Sequence, residues 1–189
     1  MSAAALPHPV VHRFFFALKP DDITARRTHA FAEAALGARG LLRPERHHVT
    51  LGLTEDMPTI PGAIVERLLR VGAAVSAAPF DLVLDRMSIG YGTIVLRPSH
   101  VVRPLHALQS GIARAMAAEG LAMRGGWRFN PHETLCYRKA ETAEERVIEG
   151  FQWQVKEFHL VHSYVGLHRH ETIGRWPLQA LEDPQGRLL

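Results

Sequence analysis

The chain predicts an α+β fold: two mainly antiparallel sheets with helices outside, arranged as a bilobal internal duplication around a central cleft. Three observations carry this. Strand-like and helix-like segments alternate along the chain. Turn signals at Gly90-Tyr91-Gly92 and at Gly166 mark tight hairpins, which join antiparallel strands. The pattern also restarts midway, since Leu18-Lys19-Pro20 precedes the first long helix and Leu96-Arg97-Pro98 a later one. The expected unit is one domain, 1–189, with lobes of about 10–90 and 92–178.

Val10 to Leu18 is rich in β-formers and stops at Lys19-Pro20, where Asp21 or Asp22 can cap a helix running to about Leu36, ahead of Gly37. A loop from Ala38 to Arg46 leads to a strand, His47 to Leu53. A proline-marked loop, Met57 to Pro61, then gives a helical stretch through Ala78 with Ile64, Leu68, Leu69 and Val75 on one side. Phe80 to Ile89 and Thr93 to Leu96 read as a hairpin, and Val102 to Glu119 as a helix. After a strand at His132 come a short helix (Glu141 to Glu149), a strand from about Gln152 to Tyr164, and a last strand from about His170 to Pro177.

With 47% apolar and 22% charged residues, 189 in all, the chain has the composition of a globular protein able to bury a sizeable core. A net charge of +3 favours anionic ligands but supplies none of the dense Lys/Arg blocks of a nucleic-acid coat. The single cysteine, Cys136, excludes an internal disulfide and fits a reducing compartment. Met1 to Val11 shows no leader, and Phe14 to Leu18 is far too short for a membrane span, so the cytoplasm is the expected location; a monomer is expected as well, although no feature of the sequence sets the oligomeric state.

Function is written in a tripeptide. His48-Val49-Thr50 and His132-Glu133-Thr134 occur in strand-like segments at matching places, 28 residues after Pro20 and 34 after Pro98. On a strand, residues i and i+2 share a face, so each motif offers an imidazole beside a hydroxyl. With 12 His and 9 Thr, chance alone yields roughly 0.6 such tripeptides, and a third one, His170-Glu171-Thr172, does occur. The repeat selects His48 and His132. His170 falls in the closing hairpin, where the first half has no matching histidine, and is read as a coincidence, at most on the cleft rim.

A pair of imidazoles facing one phosphate supplies a base and an acid near pH 7, because the unperturbed pKa is about 6.5. For a 2′,3′-cyclic phosphate, the neutral ring takes a proton from attacking water and the protonated ring gives one to the departing ribose oxygen. Thr50 and Thr134 would donate to the non-bridging oxygens. No metal and no cofactor is required. Either histidine fits either role. A lone strand histidine is ordinarily a packing residue, and threonine is a common β-former; the symmetric placement is what argues for chemistry.

Around these four, Trp127, Arg128 and Phe129, with Arg124, combine charge with aromatic faces suited to RNA or a nucleotide. A solvated loop anchored by one Trp is the bland alternative. Arg138, six residues past His132, is expected on the same pleat face, aimed at the phosphate. Arg43 and Arg46 read as surface charges.

The chain resembles the 2′-5′ RNA ligase-like (LigT-like) group of the two-histidine phosphoesterase superfamily. Three stretches carry the likeness: Arg13-Phe14-Phe15-Phe16-Ala17-Leu18-Lys19-Pro20, Arg43 through Leu51, and Phe129-Asn130-Pro131-His132-Glu133-Thr134-Leu135. The resemblance implies metal-independent opening of RNA 2′,3′-cyclic phosphates to 2′-phosphates, with reversible 2′-5′ joining. It also implies His48 and His132 as catalytic residues and Thr50 and Thr134 as phosphate-binding ones. Glu133 departs from the family, which carries an apolar residue there; it is expected to face the helices and meet a basic partner, or to lie at a sheet edge. Family members often carry an arginine soon after the second motif, the place that Arg138 would fill by resemblance.

Three other readings compete. The substrate is a small cyclic phosphate in one; in a second, His159, His162, His168 and His170 form a metal site, a weak pattern for zinc with the only cysteine elsewhere. The third is a silent RNA-binding module, which would have no use for an acid–base pair.

Overall fold

The computed structural model of the chain describes residues 10–138 and 142–179. Residues 1–9, part of the start expected to carry no leader, and Glu141, the first residue of the segment expected helical, lie outside the described residues. The element order is β1 (Val11–Leu18), α1 (Asp22–Leu36), β2 (Val49–Leu53), α2 (Ile64–Ala73), β3 (Phe80–Ile89), β4 (Ile94–Arg97), α3 (Arg103–Ala118), β5 (Glu133–Cys136), β6 (Glu144–Val155), β7 (Glu157–Val165) and β8 (Arg169–Pro177).

Three helices lie against one large antiparallel sheet, where two sheets were expected. Its order is β6-β3-β4-β5-β2-β1-β7-β8. The four strands before the centre and the four after it join where β2 meets β5, through the single registered pair Val49–Glu133. Lys156 alone separates β6, at one edge, from β7, six strands away in the order. In a flat sheet that gap is roughly 29 Å at ~4.8 Å per strand, far beyond the reach of one residue, so the sheet is rolled.

Alternation along β1 separates two environments. Phe14, Phe16 and Leu18 enter the main core with Ala32 of α1, Leu68 and Val71 of α2, and Leu105, Leu108, Ile112 and Met116 of α3. Phe15 and Ala17 point to the other side, where they pack with Leu53, Val161 and Trp127. Asp21 caps α1 by accepting from the backbone N–H of Ile23 and Thr24, and Gly37 ends the helix at φ 76°, a conformation that glycine adopts without a Cβ clash.

Two elements correct the expectations from sequence. Where a helix was predicted from Glu141 to Glu149, the chain from Glu144 onward is strand β6, paired antiparallel with β3 from Ile89–Glu144 to Phe80–Val155. The single strand predicted from Gln152 to Tyr164 is two strands, β6 and β7, parted at Lys156. α2 also stops at Ala73, short of Ala78.

Candidate active site

His48 and His132 each stand one residue ahead of a paired strand, β2 and β5, and both motifs line one cavity with Thr50, Thr134, Arg13, Phe15, Arg46, Tyr137, His168 and His170. Its volume is about 230 Å³. Because β2 and β5 are antiparallel with Val49 opposite Glu133, the register sets His48 across from Thr134 and Thr50 across from His132. Each imidazole is therefore neighbour to the other motif's hydroxyl.

The two rings are held alike. Nδ1 of His48 donates to the carbonyl oxygen of Arg46 and Nδ1 of His132 to that of Asn130, both at 2.7 Å. A carbonyl only accepts, so each Nδ1 carries the hydrogen and Nε2 is left as the nitrogen free for proton exchange. Asn130 is itself held by the guanidinium of Arg97 through its Oδ1.

Burial pushes His48 down to about 4, against the opposing pull of the Arg46 carbonyl, with the charges of Lys19, His132 and Arg46 adding to the depression. His132 is also lowered, by burial first and then by Arg97. The ring of His48 lies 4.9 Å from that of Phe15 and 5.8 Å, edge-on, from that of His170. Burial and the surrounding positive charges hold His170 down at about 3.

Of the third tripeptide, read from sequence as a coincidence at most on the cleft rim, His170 lines the cavity and packs against His48, because β8 pairs with β7 and β7 with β1. Arg46, expected at the surface, also lines the cavity, where its Nη1 meets His168 Nδ1 at 3.3 Å. Arg43 is exposed and paired with Glu45 at 3.0 Å.

Arg138 does not reach the cavity. Its guanidinium donates to the carbonyls of Leu36 and Arg39, both at 2.8 Å, and so fastens the end of α1. β5 ends at Cys136, and the pleat parity that aimed Arg138 at the phosphate ends with it. Trp127 packs against Phe15 and Leu53, Phe129 packs on the main core and edge-on to His106 at 5.1 Å, and Arg128 is exposed; none of the three lines the cavity.

Glu133 has the basic partner expected of it. Its Oε1 lies 2.7 Å from His47 Nδ1 on the helix-facing side of the sheet, between β2 and β4 and away from any edge. Sequence reasoning overlooked His47, although it stands directly before the first motif. The four histidines near the C-terminus do not form one cluster: His159 neighbours Glu157, His162 stacks on Phe14, and His168 and His170 line the cavity against Arg46 and His48. Among the described residues no three His, Cys, Asp or Glu side chains gather as a metal site, and no helix is long and apolar enough to cross a membrane.

The model of the 2′-5′ RNA ligase superfamily matches residues 11–167. Among solved structures, Escherichia coli LigT complexed with 3′-AMP is similar at 20% identity and TM-score 0.73, covering 89% of this chain and 98% of that one. The apo form of the same protein aligns at 23% identity and TM-score 0.69, covering 90% and 99%. A Thermus thermophilus protein aligns at 23% and 0.62, covering 88% and 98%. No curated protein matches the chain.

Proposed function

Since the chain belongs to the 2′-5′ RNA ligase superfamily, we propose that it is a phosphoesterase that opens 2′,3′-cyclic phosphate ends of RNA to 2′-phosphates by acid–base chemistry without a metal. One observation carries this reading: two imidazoles in one cavity, each with Nδ1 spent on a backbone carbonyl and Nε2 left free.

His48, the more strongly depressed ring, is neutral at pH 7 and serves as the base. Water attacks phosphorus as His48 Nε2 takes its proton. The bond from phosphorus to the ribose 3′-oxygen breaks, and His132, protonated in the presence of the phosphate anion, gives that oxygen a proton. Thr50 and Thr134 donate to the non-bridging oxygens, where charge grows. The same step gives 2′-5′ joining when the 5′-hydroxyl of a second strand replaces water as the nucleophile, and microscopic reversibility makes that joining reversible. The proton inventory requires one ring neutral and one protonated, so the rate should be bell-shaped in pH.

We read residues 1–189 as one domain with an internal duplication. β1–α1–β2 and β4–α3–β5 bring the motifs to the central strands from opposite sides, a symmetry that supports this reading.

The test is hydrolysis of an oligonucleotide ending in a 2′,3′-cyclic phosphate, followed by phosphorus NMR with and without chelator. The expected product is the 2′-phosphate, formed at the same rate in both. No turnover, or turnover abolished by chelation and restored by a divalent cation, overturns the proposal.

A further inference from the structure

A second groove opens beside the catalytic cavity. It is lined by Lys19, Arg43, Arg46, Arg169, His168, His170, Glu45 and Leu167, and Arg46, His168 and His170 form the wall that it shares with the cavity. Four cations line it; Arg43 is engaged by Glu45 at 3.0 Å and Arg169 by Glu171, which leaves Lys19 and Arg46 without a carboxylate among the described residues.

Lys19 is the centre of this imbalance. It follows β1 directly, is half-buried, and among the described residues has no carboxylate within ion-pair reach; its Nζ donates to Thr172 Oγ1 at 3.1 Å. Burial lowers its pKa, and the nearby charge of Arg175 lowers it further. Arg46 adds a second unmet need, since its Nε is buried with no hydrogen-bond partner. A half-buried ammonium and an orphaned guanidinium N–H, beside a His170 ring that burial holds neutral, make a standing demand for an anion. Thr172 and His170 belong to the third His-x-Thr tripeptide, which therefore serves this groove and its shared wall.

We propose that the groove is a second phosphate subsite, built on Lys19 with Arg46 between the two anions, and that it takes the 5′-phosphodiester of the nucleotide whose cyclic phosphate lies between His48 and His132. This rests on the reaction proposed above and names its substrate class: an oligonucleotide end, with the cyclic mononucleotide lacking a 5′-phosphate as the poorer ligand. Arg46 is suited to the position because its planar fork offers donors on more than one edge.

The test is equilibrium binding, which reports on the subsite even if the proposed reaction is wrong. Calorimetry compares adenosine 2′-phosphate, adenosine 2′,5′-bisphosphate and an adenylyl dinucleotide ending in a 2′-phosphate. The wild type is expected to bind the last two about tenfold more tightly than the first, a margin that shrinks as salt rises. Lys19→Met, which keeps the aliphatic stem, should cut the margin to about twofold, and Lys19→Arg should keep most of it. Equal affinity for all three ligands, or an equal loss for all three in Lys19→Met, overturns the subsite. A margin for the bisphosphate but not for the dinucleotide overturns the oligonucleotide assignment. Turnover of the cyclic forms is measured separately; its failure with the margin intact refutes the reaction and not the groove.

Discussion

Glu133 and His47 join the two motif strands from the buried side of the sheet: Oε1 lies 2.7 Å from Nδ1, and each side chain is 1% exposed. Their chain neighbours, His132 and His48, project to the opposite face. The other ring nitrogen of His47, Nε2, lies 3.2 Å from the carbonyl oxygen of Leu42, so the pair also anchors the loop before the first motif.

Removing one member leaves a buried polar partner without compensation, which costs about 3–5 kcal/mol. Glu133→Ala should lose that much in urea unfolding, while the double variant His47→Leu, Glu133→Val should return to within about 1 kcal/mol of wild type. A single variant as stable as wild type would remove the pair from any structural role.

His48→Ala and His132→Ala should each lower kcat/KM on a cyclic-phosphate substrate by about 10²–10⁴-fold, the usual contribution of a positioned acid or base. Circular dichroism should show the fold retained. Wild-type turnover in either variant contradicts the acid–base assignment.

For the hydroxyls, Thr50→Val and Thr134→Val should each cost about 10²-fold in kcat, as loss of one donor to a developing oxyanion does. Thr50→Ser and Thr134→Ser keep the donor and should recover most of the rate. Valine variants with unchanged kcat would leave the threonines with a packing role only.

Acid should destabilise the protein. His48 and His159 are held at about 4 and His170 at about 3, below the ordinary histidine value of 6.5, so the unfolded chain binds protons that the folded chain refuses. Stability from these groups is fully present above pH 6.5 and falls on acidification through about pH 4. His159→Leu, which removes a buried ring whose Nδ1 has no partner, should gain on wild type as pH drops from 7.5 to 5 in urea midpoints. A pH-independent difference would contradict the assignment for His159.

Arg138→Ala should leave kcat/KM unchanged and lower stability by about 1–3 kcal/mol, because it frees the carbonyls of Leu36 and Arg39. A rate loss at unchanged stability would return Arg138 to the phosphate.

The two motifs were legible because a period of two survives in any strand and because they stand at similar, though unequal, distances after Pro20 and Pro98. The rest depended on long-range pairing. Glu144 to Glu149 is largely exposed along both faces and rich in helix formers, so no alternation announced β6; its pairing with β3 and the bonds of Glu145 to Arg86 and Ser88 overrode local preference. His170 was set aside by comparing contiguous halves, yet β7 and β8 return to pair beside β1. Arg46 looked like a surface charge, since nothing local shows that the 3₁₀ turn Pro44–Arg46 brings it to the cavity wall.

The Val49–Glu133 pairing has a last consequence. The separation of the two imidazoles is set by neighbouring strands in a backbone ladder, so bringing them together calls for no closing motion of one half on the other. A one-residue slip of β5 against β2 would invert its pleat, turning His132 and Thr134 toward the helices and Glu133 out toward the cavity.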